Sequence, residues 1–151
     1  MSGENGVSLQ SFAVQLRRMN SEFNRIAHEF AQAHGLHPTD VQALIAILDA
    51  PNGLMTPGRL REQLNLSSGA ITACLDRLER AGHVRRTRDP HDRRVVHLHY
   101  ESAAREIASV YFRPLARSTD AARSPFSPAE QQTILLFLES MNEELTTVRS
   151  T

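Results

Sequence analysis

The chain has 151 residues, and its seventeen basic and seventeen acidic side chains cancel to a formal net charge of zero. That length makes one domain, or one core with an appendage, and is enough to bury a core of useful size; 23% of its residues are charged and its apolar runs are short, so no segment can span a bilayer. The opening MSGENGVSLQ has neither the basic nor the apolar region of a secretory signal, and Cys74, the one cysteine, cannot close an internal disulfide, so the expected location is cytoplasmic. Every basic residue is arginine, the better fork for phosphates and base edges.

In chain order, Leu9, Phe12, Leu16, Met19, Phe23, Ile26 and Phe30 recur at helical spacing and predict a long amphipathic helix over Ser8 to His34, stopped by Gly35. Pro38 opens a short apolar helix through Val41, Leu44, Ile45, Ile47 and Leu48 that ends before Pro51-Asn52-Gly53. Thr56 caps a third helix with Leu60 and Leu64, and Ser67 or Ser68 caps a fourth, running through Ile71, Cys74, Leu75 and Leu78 to Gly82. The period then changes. His83 to Arg88 and Arg93 to Tyr100 read as strands around a turn at Asp89-Pro90-His91-Asp92. Ser102 is the expected cap of a fifth helix, with a kink or break at Pro114, and Ser127-Pro128-Ala129-Glu130 is a capping box for the last.

Three helices followed by a hairpin predict a mainly α fold with a small β-hairpin wing, a winged helix-turn-helix over residues 38–100. The turn is Asn65-Leu66-Ser67, and Ser67 to Arg80 is the helix that would enter a major groove. Opposite its apolar stripe lie Gly69, Ala73, Asp76, Arg77 and Arg80, with Thr72 at the edge; small residues near its start let the backbone approach bases. From Met55 to Tyr100 there are nine arginines against five acids, a net of +4, so the flanks carry −4. The winged unit is therefore a modest electrostatic footprint for nucleic acid.

The run Leu66-Ser67-Ser68-Gly69-Ala70-Ile71-Thr72, the helix end Leu75-Asp76-Arg77-Leu78-Glu79-Arg80-Ala81-Gly82, and the basic hairpin Asp89-Pro90-His91-Asp92-Arg93-Arg94 resemble the MarR (multiple-antibiotic-resistance regulator) family. The resemblance implies a single domain over residues 1–151: a homodimeric regulator that binds double-stranded DNA at a pseudo-palindromic operator, with helices 8–34 and 102–149 as the dimerisation elements. It also implies that Asp92 orients the wing, that Arg94 enters the minor groove, and that a small aromatic or phenolic effector releases a repressor from its operator. The candidate DNA contacts are Thr56, Arg59, Ser67, Ser68, Gly69, Thr72, Ala73, Arg77, Arg88, Asp92, Arg93 and Arg94. Two departures stand out: Tyr100-Glu101 replaces the family's usual Leu-Thr at the wing's end, and Ala73 occupies a position often held by a polar residue. Direct base readout then falls on Ser68, Thr72 and Arg77, with more of the specificity left to the wing's reading of DNA shape.

Other chemistry has less behind it. Cys74 lies on the apolar stripe and reads as a small core residue rather than a redox sensor. His97 and His99, and the group His28, His34 and His37, lack the further ligands of a zinc site, so no metal or cofactor is expected. No nucleophile motif or phosphate loop marks an enzyme. Phe30, His34, Leu44, Leu48, Tyr111 and Leu115 could line an effector cleft or simply pack as core. A metal- or redox-sensing regulator on the same fold, and an interaction module that does not bind DNA, are the alternatives.

Overall fold

The computed structural model describes residues 6–148. Local capping chemistry accounts for most element ends. Helix α1, Leu9–Ala33, starts where Ser8 Oγ accepts the Ser11 N–H at 3.2 Å, and it stops at Gly35, whose positive φ lets the Leu36 N–H return to Ala31 O at 2.8 Å. Helix α2, Pro38–Leu48, has proline at its first position, and the Asp40 carboxylate accepts the His37 N–H at 3.1 Å. A single 3-10 turn, Pro51–Gly53, leads to α3, Pro57–Leu64, and α4, Ser68–Arg80. Strands β1, Val84–Arg88, and β2, Val96–Tyr100, pair antiparallel with Val84 opposite Tyr100, and Met55 bridges to Leu98 on the other side of β2. Helices α5, Ser102–Arg123, and α6, Pro128–Val148, complete the chain.

The chain divides into two compact units, one ending at Ala108 and the other starting at Ser109. In the first, Leu44 and Ile47 of α2, Leu60 of α3, Ile71, Leu75 and Leu78 of α4, Val84, Leu98 and Ala104 form one buried cluster. Leu60, Leu78 and Leu98 are fully enclosed, each worth about 1.5–3 kcal/mol of transfer free energy. This core fixes α3 and α4 on α2 and ties the hairpin to them. In the second unit, the turn into α6 is held by Ser127 and Glu130, which cap each other's N–H groups, and by the Gln131 side chain, which donates to Phe126 O at 2.8 Å. Among the described residues α6 buries none, and Leu135, Leu136 and Leu145 each remain about half exposed.

Three local expectations change. Helix α5 runs unbroken through Pro114, because residues 113 and 114 are exposed and water can take the Val110 carbonyl that proline leaves without a donor. Ser102 is the first residue of α5 rather than its cap; the Glu101 carbonyl accepts the opening bonds from Ala104 and Arg105. The hairpin loop is longer than the four-residue turn, spanning residues 89–95, because Asp92 captures the amides of Arg94 and Val95.

Candidate nucleic-acid interface

The tight turn between α3 and α4 comes from Asn65. It adopts the left-handed conformation (φ 52°, ψ 51°), which asparagine tolerates, and so lets its own N–H reach Glu62 O at 3.2 Å and the Leu66 N–H reach Arg61 O at 3.0 Å. Ser67, not Ser68, is the cap of α4; its Oγ accepts the Ala70 N–H at 3.1 Å. Thr56 caps α3 in the same way through the Arg59 N–H, and the Arg59 guanidinium donates to Leu54 O at 3.2 Å. The inward side of α4 is Ile71, Cys74, Leu75 and Leu78, none more than 4% exposed. Outward lie Ser68, Gly69, Thr72, Ala73 and Arg80. The Thr72 hydroxyl bonds back to Ser68 O at 2.8 Å, and a Cβ built on Gly69 meets nothing within 4 Å. The first turn of α4 is therefore a low, open surface carrying unspent N–H groups and the positive end of the helix dipole.

Arg77, expected among the base readers, has a protein partner. Its Nε and terminal nitrogen donate to the two oxygens of Asp40 at 3.2 and 2.7 Å, and the Asp40 side chain is only 2% exposed. Burial pushes the Asp40 carboxyl upward, but the Arg77 fork and the His37 N–H outweigh it and leave the group below its ordinary value. Asp76, also expected outward, pairs with Arg86 at 2.8 Å, and Arg86 reaches Glu79 at 2.7 Å. Arg85 pairs with Glu101. Sequence reasoning missed these contacts because the partners of Arg77 and Arg85 are distant in the chain. Part of the winged unit's basic excess is thus spent on holding α4 to α2 and to the hairpin.

The outer end of the wing keeps its cations in solvent. Arg88, Arg93 and Arg94 are exposed, and the Arg94 side chain is 95% so. Asp92 Oδ1 accepts the Arg94 N–H at 3.0 Å and lies 3.6 Å from its Nε, while Arg88 donates to Arg93 O at 3.4 Å. Asp89 accepts the N–H groups of His91 and Asp92 at 2.7 and 3.0 Å. Its second oxygen meets His97 Nε2 at 2.9 Å, and chiefly this bond holds its carboxyl down at about 2. The His99 ring shares a 2.7 Å hydrogen bond with Thr87. Both strand histidines are therefore engaged, and among the described residues no three ligand side chains converge as a metal would require. Burial, followed by the neighbouring Asp40, pushes the Cys74 thiol up to about 12, far from the thiolate that redox sensing uses.

The family model described as MarR family matches residues 34–95. The HTH-type transcriptional regulator YcgE of Bacillus subtilis (strain 168) is 38% identical over 151 residues, covering 96% of this chain and 97% of its own. YkoM from the same organism, also an HTH-type transcriptional regulator, is 31% identical over 110 residues, 72% of this chain and 70% of its own. Among solved structures, a MarR family protein from Bacillus stearothermophilus superposes with a TM-score of 0.72 at 24% identity, covering 93% of this chain and 99% of that one. A mutant MepR from a multidrug-resistant S. aureus clinical isolate gives 0.78 at 15% identity, over 89% and 96%. At those identities the two structures establish the fold. Among the described residues no helix is long and apolar enough to cross a membrane.

Proposed function

The chain belongs to the MarR family of DNA-binding transcriptional regulators, and on that premise we propose that it is a homodimeric repressor. Each protomer lays the start of α4 in a major groove of a pseudo-palindromic operator and sets its wing against the adjoining minor groove. The observation that carries this reading is the pairing of an open, small-residue surface at Ser68, Gly69, Thr72 and Ala73 with a wing whose Arg88, Arg93 and Arg94 stand in solvent. The first accepts a DNA backbone closely, and the second supplies cations suited to a narrow groove. Thr56, Arg59 and Ser67 sit at the two helix starts, where cap and N–H groups face phosphate. Arg77 supports the readout indirectly, by fixing α4.

The proposed dimer draws support from each unit separately. Leu9, Met19 and Phe23 leave 84, 44 and 47% of their surface exposed on α1. Ile134, Leu135 and Leu138 of α6 line a groove of about 410 Å³ with Thr119 and Arg123 of α5. Apolar surface of that kind is normally covered by a partner. A small aromatic effector that binds better to a protomer spacing unsuited to DNA would release the operator. Phe30 and His34, with ring centroids 4.3 Å apart, offer aromatic faces for it, whereas Leu44 and Tyr111 are buried.

Selection of duplexes from a random library by the full-length protein, followed by sequencing, tests the proposal. The expected product is an inverted repeat with half-sites about one helical turn (~34 Å) apart. No enrichment would overturn the DNA-binding reading, and an isolated half-site would overturn the dimer.

A further inference from the structure

The outer face of the wing carries a polar ladder that the strand sequence gives no obvious reason to need. In the observed register Thr87 faces His97 and Arg88 faces Val96, and the Asp89 N–H extends the pairing to Val95 O at 2.9 Å. Residue 89 is thus opposite residue 95, and His97 is its diagonal neighbour on the same face. Thr87 and His99 stand in the same diagonal relation. Both diagonals are closed, Thr87 to His99 at 2.7 Å and Asp89 to His97 at 2.9 Å.

From His97 a continuous series of bonds runs to Arg94. Asp89 takes His97 Nε2 on one oxygen and the amides of His91 and Asp92 on the other. Asp92, held at its amide, accepts the Arg94 N–H on its carboxylate and the Val95 N–H on its carbonyl. An ionised carboxylate only accepts, so all three contacts on Asp89 need donors and His97 must carry its proton on Nε2. The other ring nitrogen, Nδ1, is buried and finds no hydrogen-bond partner among the described residues. An apolar residue at this half-buried strand position would avoid that cost, so the bond to Asp89 is what the histidine contributes.

We propose that Asp89 and His97 are a positioning pair that sets the wing loop, and through Asp92 the direction of Arg94, before DNA arrives. Neither touches DNA. Their effect is to remove loop conformations in which Arg94 points away from the groove, so that less ordering is left to be done on binding. The inference rests on the reading that the wing contacts DNA, and it adds a partner for the loop that the Asp92–Arg94 contact alone does not supply.

The test is a double-mutant cycle on the full-length protein, using the duplex that wild type selects. His97→Ala is expected to weaken binding about tenfold, the effect of losing one charge-assisted hydrogen bond. His97→Gln, which restores an N–H near Asp89, should recover most of it. In an Arg94→Ala background His97→Ala should cost clearly less, because the pair acts chiefly through that arginine. Amide exchange at His91 and Asp92 should quicken in His97→Ala while α4 keeps its protection. Should the alanine variant not fold, Asp89→Asn takes its place in the cycle. An unchanged affinity in His97→Ala, no recovery with glutamine, or an equal loss in both backgrounds overturns the positioning role while the DNA-binding reading stands. Failure of wild type to select any duplex overturns both.

Discussion

Arg77 on α4 closes on Asp40 of α2 through two hydrogen bonds of 3.2 and 2.7 Å, and the carboxylate it covers is 2% exposed while the arginine itself is 34% exposed. The asymmetry has a consequence. Arg77→Ala strands a buried carboxylate and should cost about 2–4 kcal/mol, somewhat less than a fully enclosed pair because water reaches one side. Asp40→Ala lets the arginine turn into solvent and loses mainly the cap on His37, about 1–2 kcal/mol. Urea unfolding of the two variants checks the order, and an equal or reversed ranking contradicts it.

Acid should act in two stages. Burial lowers the His83 ring below its ordinary value, so the folded chain takes up this proton at a lower pH than the unfolded chain, which does so near pH 6.5. The stability it allows is full above that pH and falls as pH drops through it. Asp40 is shifted below 3.8, so its contribution is full above that value and is lost further down. Urea midpoints should therefore fall from about pH 7 to 5 in wild type and fall less over that range in His83→Phe. A wild-type midpoint that does not move would contradict the assignment.

Gly69 tests the approach of DNA to α4. It lies in regular helix with open space where a Cβ would go, so Gly69→Ala should raise stability by about 0.5–1 kcal/mol. The same methyl group occupies the surface a DNA backbone would use, so duplex affinity should fall. Thermal melting and a binding titration on one preparation separate the two effects, and a gain in both would remove Gly69 from the interface.

Cys74, fully buried and with its thiol pushed up to about 12, should resist thiol reagents until the chain unfolds. Cys74→Ser should cost about 1–3 kcal/mol for a hydroxyl placed in that core. Peroxide treatment should leave DNA binding intact; prompt labelling of the native protein would reopen a redox reading.

What the chain discloses before folding is what local rules decide. Ser8, Gly35, Pro38, Thr56 and the Ser127–Glu130 box mark helix ends by their own backbone chemistry, and the change from helical to alternating pattern after Gly82 announces the hairpin. Arg77 shows the limit. Helical periodicity gives its face, but its partner lies 37 residues away, and an aspartate in the first turn of α2 reads equally well as an exposed cap. The length of the wing loop is hidden for a related reason, since nothing in Arg93-Arg94-Val95 shows that Asp92 takes two of their amides. Pro114 predicts a break by its missing N–H, but an exposed helix position tolerates the loss of that donor.

On the proposed reading, the wing arginine and the start of α4 bind DNA together. The salt dependence of duplex affinity, measured side by side for wild type and Arg94→Ala, decides it. Wild-type affinity should fall steeply with salt, and the variant should bind at least tenfold more weakly with a slope shallower by about one for each wing engaged. A variant with wild-type affinity and slope would contradict it.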